Sequence, residues 1–156
     1  MITLAIPGRE DLSVKNLILD LNGTIAFDGN ISKGVKKRIS LLSKHLNIFI
    51  VTADTNKNAE QLVKGLNVNL FKIYKENEDS QKLSLLLEKG KDETISIGNG
   101  ANDVFMLKES CIGICVLGSE GAATEALTAS NIVVPAINDA LDLLLKSHRL
   151  IATMRK

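Results

Sequence analysis

Asp20 closes the apolar run NLIL (16–19) and is followed by Leu21, Asn22, Gly23 and Thr24. A carboxylate exposed at a strand end can attack phosphorus, and its second oxygen suits a hard cation such as Mg²⁺. Gly23 permits a tight turn and close backbone approach to an anion, so amides of the Gly23–Thr24 turn can point at phosphate oxygens. Taken alone, an aspartate that merely starts a turn explains the same residues equally well. Three later segments add to it. Thr52-Ala53-Asp54 follows the apolar run NIFIV (47–51); the Thr52 hydroxyl and the amides after it, Ala53's first, can donate to phosphate oxygens, or the segment can simply cap the next helix. Lys82 opens a Leu-rich helix, where an ammonium can balance charge between a nucleophile and a phosphate. Lys75, Lys89 and Lys91 compete for that task, and most lysines of any chain are solvated. Gly98-Asn99-Gly100-Ala101-Asn102-Asp103 follows the apolar stretch Thr94–Ile97. Asn99 and Asp103 can offer oxygen ligands to a cation already held by Asp20, although Asp103 also reads as an ordinary first-turn helix residue.

The elements that must position these groups follow from hydrophobic period. Apolar runs predict strands at Ile2–Ile6, Asn16–Leu21, Asn47–Val51, Asn69–Tyr74, Thr94–Ile97, Cys111–Leu117 and Asn131–Val134. Helical spacing predicts helices over Lys33–His45, Asn58–Gly65, Ser80–Glu88 (with Leu83, Leu86 and Leu87 inward), Asp103–Lys108, Thr124–Ala129 and Asp139–Ser147. Alternating strands and helices predict a three-layer α/β/α arrangement around a mostly parallel, Rossmann-like sheet. In such sheets ligands bind outside the carboxyl ends of the strands, and all four polar segments fall there. The whole chain, 1–156, is expected to be one domain, with a short N-terminal strand at 2–6 and a C-terminal tail at 148–156 that packs on the domain or reaches a partner.

Composition excludes other classes. The chain has 156 residues, 45% hydrophobic and 24% charged, with a formal net charge of +1. Near-neutral charge argues against a nucleic-acid surface, and 3% aromatic content argues against a stacking platform for single strands. No apolar run approaches a membrane span, and Met1–Pro7 lacks the regions of a secretory leader. A soluble cytoplasmic protein is therefore expected. Cys111 and Cys115 fit buried free thiols in a reducing compartment rather than a disulfide or zinc framework. His45 and His148 fall at helix ends and suit helix-end cations. Neither a GxGxxG nor a P-loop spacing is present, which argues against an unrelated nucleotide-binding fold.

Taken together, DLNGT (20–24), TAD (52–54), Lys82 and GNGAND (98–103) resemble the four motifs of the haloacid dehalogenase superfamily. Within it the likeness is to the phosphorylation domain of P-type ATPases, and it continues through IGICVLGSEGAATEALTASNIVV (112–134). The resemblance covers roughly 16–147 and is to the soluble, stand-alone relatives of that domain. It implies a Mg²⁺-dependent phosphatase-like protein that forms an aspartyl phosphate on Asp20. Catalytic roles fall on Asp20, Asn22, Thr52 and Lys82. Phosphate would be held by Gly23, Thr24, Thr52, Ala53 and Lys82, and the metal by Asp20, Asn22, Asn99 and Asp103. The intervals Asp20–Thr52 and Thr52–Lys82 have no room for a large cap domain, so the site is expected to be open to a phosphorylated small molecule or an exposed phosphorylated macromolecule, or covered by a second copy of the chain. The DGN segment (28–30) is either a small flap or a plain hairpin turn.

Two residues depart from that family's pattern. Asn22 stands where its phosphatases carry an acid/base Asp, and an amide cannot shuttle a proton; its backbone carbonyl remains able to ligate Mg²⁺. Asn99 stands where a metal-binding Asp is usual, so ligand charge falls. Slow hydrolysis is expected, or alternatively a non-hydrolytic module that binds phosphorylated ligands.

Overall fold

The computed structural model describes residues 1–53 and 58–156. In chain order the elements are β1 (Ile2–Leu4), β2 (Leu12–Val14), β3 (Asn16–Asp20), β4 (Ala26–Phe27), β5 (Asn30–Ile31), α1 (Val35–Leu42), β6 (Asn47–Thr52), α2 (Asn58–Leu62), β7 (Asn69–Lys72), α3 (Glu78–Lys89), β8 (Thr94–Gly98), α4 (Val104–Glu109), β9 (Ile112–Val116), α5 (Thr124–Ala129), β10 (Ile132–Val134), α6 (Ile137–Leu145) and α7 (Ser147–Met154). Short 3₁₀ turns cover Lys91–Glu93 and Ala101–Asp103.

Six strands form one sheet in the order β10-β9-β8-β3-β6-β7, every neighbouring pair parallel. The apolar runs of β3, β8 and β9 are buried along their whole length, as strands covered on both faces must be. Side-chain alternation sorts them into two layers. Leu17, Leu19, Ile48, Ile50, Ile95 and Ile97 pack with Val35, Ile39 and Leu42 of α1, with Leu141 and Leu144 of α6, and with Leu150 and Met154 of α7. Ile18 and Val51 face the other way, against Leu85 and Leu86 of α3 and Met106 of α4. Leu107, Cys115 and Ala126 form a small third cluster. Burying each large side chain contributes about 1.5–3 kcal/mol. The expected three-layer α/β/α architecture is the one observed.

β3 lies between β6 and β8, which the chain visits on opposite sides of it. Strand order therefore reverses at β3, and the crevice at its carboxyl end is where such sheets bind ligands. By the alternation that sends Ile18 toward α3, Asp20 is presented on that same face. Three features refine the sequence expectation, the DGN segment taking the hairpin alternative and 148–156 the packed one. The N-terminal strand does not extend to Ile6 but pairs antiparallel with β2. The DGN segment is the turn of the β4–β5 hairpin, with Asp28 and Gly29 both at positive φ (49° and 75°), the backbone a two-residue hairpin requires. The expected tail at 148–156 is largely helix α7, with Leu150 and Met154 buried in the main core. Among the described residues no helix is long and apolar enough to cross a membrane.

Candidate active site

Asp20, Lys82 and Asp103 meet at one buried point. Lys82 lies in the first half of α3 on its inward face with Leu85 and Leu86. It is only 1% exposed, which separates it from the solvated lysines. Its Nζ donates to Asp20 Oδ1 at 2.8 Å and to Asp103 Oδ1 at 2.6 Å. The rival lysines are elsewhere: Lys89 lies over the Phe49 ring, Lys91 pairs with Glu109, and Lys75 reaches the cleft only at its rim. The inward face of α3 also corrects the expected helix orientation: Leu87 is 54% exposed, because Lys82, not Leu87, occupies the buried stripe.

The electrostatics follow from burial. Loss of solvent pushes the Asp20 carboxyl up to about 7, and neighbouring Asp103 adds to the rise, while Lys82 and Thr24 pull against it. Burial likewise works against the Lys82 ammonium, but the two carboxylates outweigh it and hold its pKa above the ordinary value. With both carboxylates ionised, the cluster carries one more negative charge than Lys82 balances, at the wall of the cleft.

In the glycine-rich segment Asp103 and Asn99 turn to different partners. Asp103 Oδ2 accepts the backbone N–H groups of Asn99 and Gly100, each at 2.9 Å, and its Oδ1 accepts Lys82. With its carboxylate engaged in this way and fully buried, Asp103 anchors both the turn and Lys82. Gly98 makes room for it: a Cβ there would stand 2.5 Å from the Asp103 carboxylate. Asn99 is turned the other way. Its Nδ2 donates to the Gly121 carbonyl at 2.9 Å, and its Oδ1 accepts the Thr24 hydroxyl at 3.2 Å. That same hydroxyl lies 3.2 Å from Asp20 Oδ2, so the Asp20 and Asn99 oxygens converge on one place.

The Asp20 turn also redistributes expected roles. The amides of Gly23 and Thr24 donate to the carbonyls of Ala26 and Leu21, and Thr24 is wholly buried. These two residues therefore brace Asp20 and Asn99 instead of presenting donors to a phosphate, as the sequence led us to expect. Gly23 is at φ 78° and packs so closely that a Cβ would meet Asn99 and Glu120, so glycine is needed there for both conformation and space. Asn22 lines the cleft, its Nδ2 donating to the Thr52 hydroxyl at 3.3 Å. Thr52 and Ala53 line the same cleft. Asp54 lies outside the described residues.

The cleft above this cluster has a volume of about 440 Å³. Besides Asp20, Asn22, Thr52, Ala53 and Asn99 it is bordered by Lys75, Glu78, Gly100, Asn102 and Glu120, residues that sequence reasoning did not select. Asn102 Nδ2 donates to Glu78 Oε2 at 2.5 Å, joining the two rims. Glu120 lies in the loop 117–123 after β9; its position at a strand's carboxyl end was the available signal.

A divalent cation fits this donor set. The converging Asp20 and Asn99 oxygens are hard ligands, the Asn22 carbonyl belongs to the same turn, and the excess negative charge calls for a counter-cation. The described residues hold no cluster of three or more His, Cys, Asp or Glu side chains suited to a metal, so any such site here depends on mixed carboxylate and amide oxygens.

A parallel sheet with its acidic cluster at the switch point, and a buried lysine between two aspartates, defines a protein of the haloacid dehalogenase fold. Solved structures agree. The cobalt-bound deoxy-D-mannose-octulosonate 8-phosphate phosphatase of Haemophilus influenzae superposes with a TM-score of 0.73 at 14% identity, over 92% of this chain and 94% of that one. The corresponding phosphatase of Moraxella catarrhalis, solved with magnesium, phosphate and a KDO molecule, gives 0.66 at 16% identity over 91% and 94%. At these identities the likeness is one of fold. No family model matches the chain. By sequence, the chain belongs to the same family as the uncharacterized protein MJ0073 of Methanocaldococcus jannaschii, to which it is 48% identical over 92 residues, 54% of this chain and 99% of that protein. A soluble P-type ATPase-like phosphatase of the same organism is 29% identical over 123 residues, 77% of this chain but 45% of that protein.

Proposed function

We propose that this chain is a slow, Mg²⁺-dependent phosphatase-like hydrolase that uses Asp20 as its nucleophile. The observation that carries the reading is the buried Lys82 ammonium clamped between Asp20 and Asp103 at the switch point of the sheet. A carboxylate held at fixed orientation beside a desolvated cation is prepared to bond to phosphorus. In the first step an Asp20 oxygen bonds to phosphorus as the ester P–O bond breaks, and the leaving oxygen takes its proton from solvent because Asn22 has none to give. In the second, water attacks phosphorus, the Asp20–P bond breaks, and phosphate leaves with the free carboxylate restored. Lys82 balances charge in both steps, and Asp103 keeps Lys82 in place. Thr52 and the Ala53 amide border the space for phosphate oxygens. A Mg²⁺ held by Asp20, the Asn22 carbonyl and Asn99 would neutralise charge on the transferring phosphoryl group. The relatives support the class: one similar fold binds Mg²⁺ and phosphate together, and the P-type ATPase-like relative is named a phosphatase. The open cleft suits phosphate esters on small molecules or at exposed sites of macromolecules.

Asn22 favours a second reading. Its amide is tied to Thr52 and cannot act as acid or base, so the assembled site can also serve as a non-hydrolytic binder of phosphorylated ligands. The experiment that decides is phosphate release from a panel of phosphate esters and acyl phosphates, with and without Mg²⁺. We expect slow, Mg²⁺-dependent release that disappears in Asp20→Asn. Full turnover in Asp20→Asn contradicts the nucleophile. Wild type that binds phosphate esters without releasing phosphate favours the binding module.

A further inference from the structure

Asn99 deprives the cation site of a charge, and the loop that follows β9 offers one back. Loop 117–123 is held at both ends: Leu117 N–H donates to the Val134 carbonyl at 3.0 Å, Gly118 N–H to Pro135 at 2.9 Å, and Ala123 N–H to Asn99 at 2.9 Å. Its middle is held by Asn99 itself, through Nδ2 to the Gly121 carbonyl. A carboxylate at position 99 has no hydrogen to donate there and would set oxygen against oxygen. The amide that forgoes charge at 99 is thus the group that draws the loop, and Glu120 with it, over the cleft.

Glu120 lines the same cleft as Asp20 and Asn99. Its Oε2 is 2.6 Å, and Asn99 Oδ1 is 3.1 Å, from the point where a Cβ on Gly23 would stand. The missing side chain of Gly23 is what lets the two oxygens approach the Asp20 turn together. Among the described residues Glu120 makes no hydrogen bond or ion pair. Like charges at this edge of the cleft repel one another, and a cation between them turns that repulsion into attraction.

We propose that Glu120 is the charged ligand that replaces the carboxylate absent at position 99, completing a divalent-cation site with Asp20 and Asn99. The inference rests on the reading of Asp20 as a cation ligand given above. Two carboxylates then face the metal from different loops, and affinity rises with ligand charge.

The test is Mn²⁺ titration followed by electron paramagnetic resonance of the free ion, on wild type, Asp20→Asn and Glu120→Gln. A parallel set of thermal melts is run in chelator and in saturating Mg²⁺. We expect one Mn²⁺ bound by wild type, binding lost in Asp20→Asn, and affinity in Glu120→Gln lower by about tenfold or more. Glu120 is exposed, so Glu120→Gln should melt like wild type in chelator while losing much of the Mg²⁺-induced rise in Tm. Wild-type Mn²⁺ affinity in Glu120→Gln, with binding still lost in Asp20→Asn, overturns the role of Glu120 and leaves the Asp20 site standing. Equal, negligible binding in wild type and Asp20→Asn overturns both.

Discussion

Single atoms decide what this site can do. The Asn22 amide lines the cleft beside Asp20, and its contact with the Thr52 hydroxyl is one that a carboxylate can also make, as acceptor. Asn22→Asp should therefore occupy the same place and raise phosphate release by about 10²–10⁴-fold, the range of general acid–base catalysis; single-turnover kinetics at fixed Mg²⁺ checks it. Gly98 is a second such point. A methyl there would collide with the Asp103 carboxylate at 2.5 Å and push away the group that anchors Lys82. We expect Gly98→Ala to cost about 1–3 kcal/mol of stability, as overpacking does, and to lower turnover at the same time; urea melts alongside phosphate release measure both. At this scale the sequence revealed Asp20, Thr52, Lys82 and Asn99 because each follows an apolar run in a recognisable order. Asp103 has a residue type that suits a metal as well as a lysine, and its hydrogen bonds to Lys82 and two amides are a task no sequence pattern showed. The sequence did not single out Glu120, a lone glutamate whose one signal is its place beyond the carboxyl end of β9.

Elements position these residues, and the strongest ones were the most legible. β3, β6, β8 and β9 are continuous apolar runs, which burial on both faces demands, and their observed bounds lie within a residue or so of the expected ones. β2, β4 and β5 are two or three residues long and exist only through their pairing, so no periodicity announces them. α3 was placed correctly along the chain but rotated: a lysine reads as polar, and only the two carboxylates beneath it make burying Lys82 favourable. On the opposite layer, α1 and α6 are joined by Arg38, whose Nε and a terminal nitrogen donate to the two oxygens of Asp142, both at 2.9 Å. The Arg38 hydrogen bonds hold the Asp142 carboxyl below its ordinary value of 3.8. A depressed carboxyl pKa means that the folded state favours the charged form, so the pair stabilises the fold above that ordinary value and ceases to do so as pH falls through the lower, folded one. Arg38→Ala should thus be less stable than wild type at neutral pH, and the difference should shrink as pH drops below 3.8. Urea melts from pH 7 to pH 2.5 check the sign.

The whole molecule separates scaffold from chemistry. One face of the sheet, under α1, α6 and α7, holds the larger core; the other carries Lys82 and the strand-end cluster. α7 also closes on the N-terminal segment, where Arg9 Nε donates to the Met154 carbonyl at 2.8 Å and Lys156 N–H to Pro7 at 3.2 Å. Leu150, completely buried, belongs to the scaffold side. Leu150→Ala should cost about 2–5 kcal/mol in urea while leaving kcat/KM of the folded protein unchanged, the converse of Asp20→Asn.

If phosphoryl transfer passes through Asp20, as proposed, chemical trapping will catch it there. The protein is incubated with acetyl phosphate and Mg²⁺, quenched with borohydride, and its peptides are sequenced by mass spectrometry. An aspartyl phosphate is reduced to homoserine, and we predict that conversion at Asp20, increased by Mg²⁺ and by the slow second step that Asn22 imposes. Phosphate release with Asp20 unmodified, or conversion at another aspartate, would contradict it.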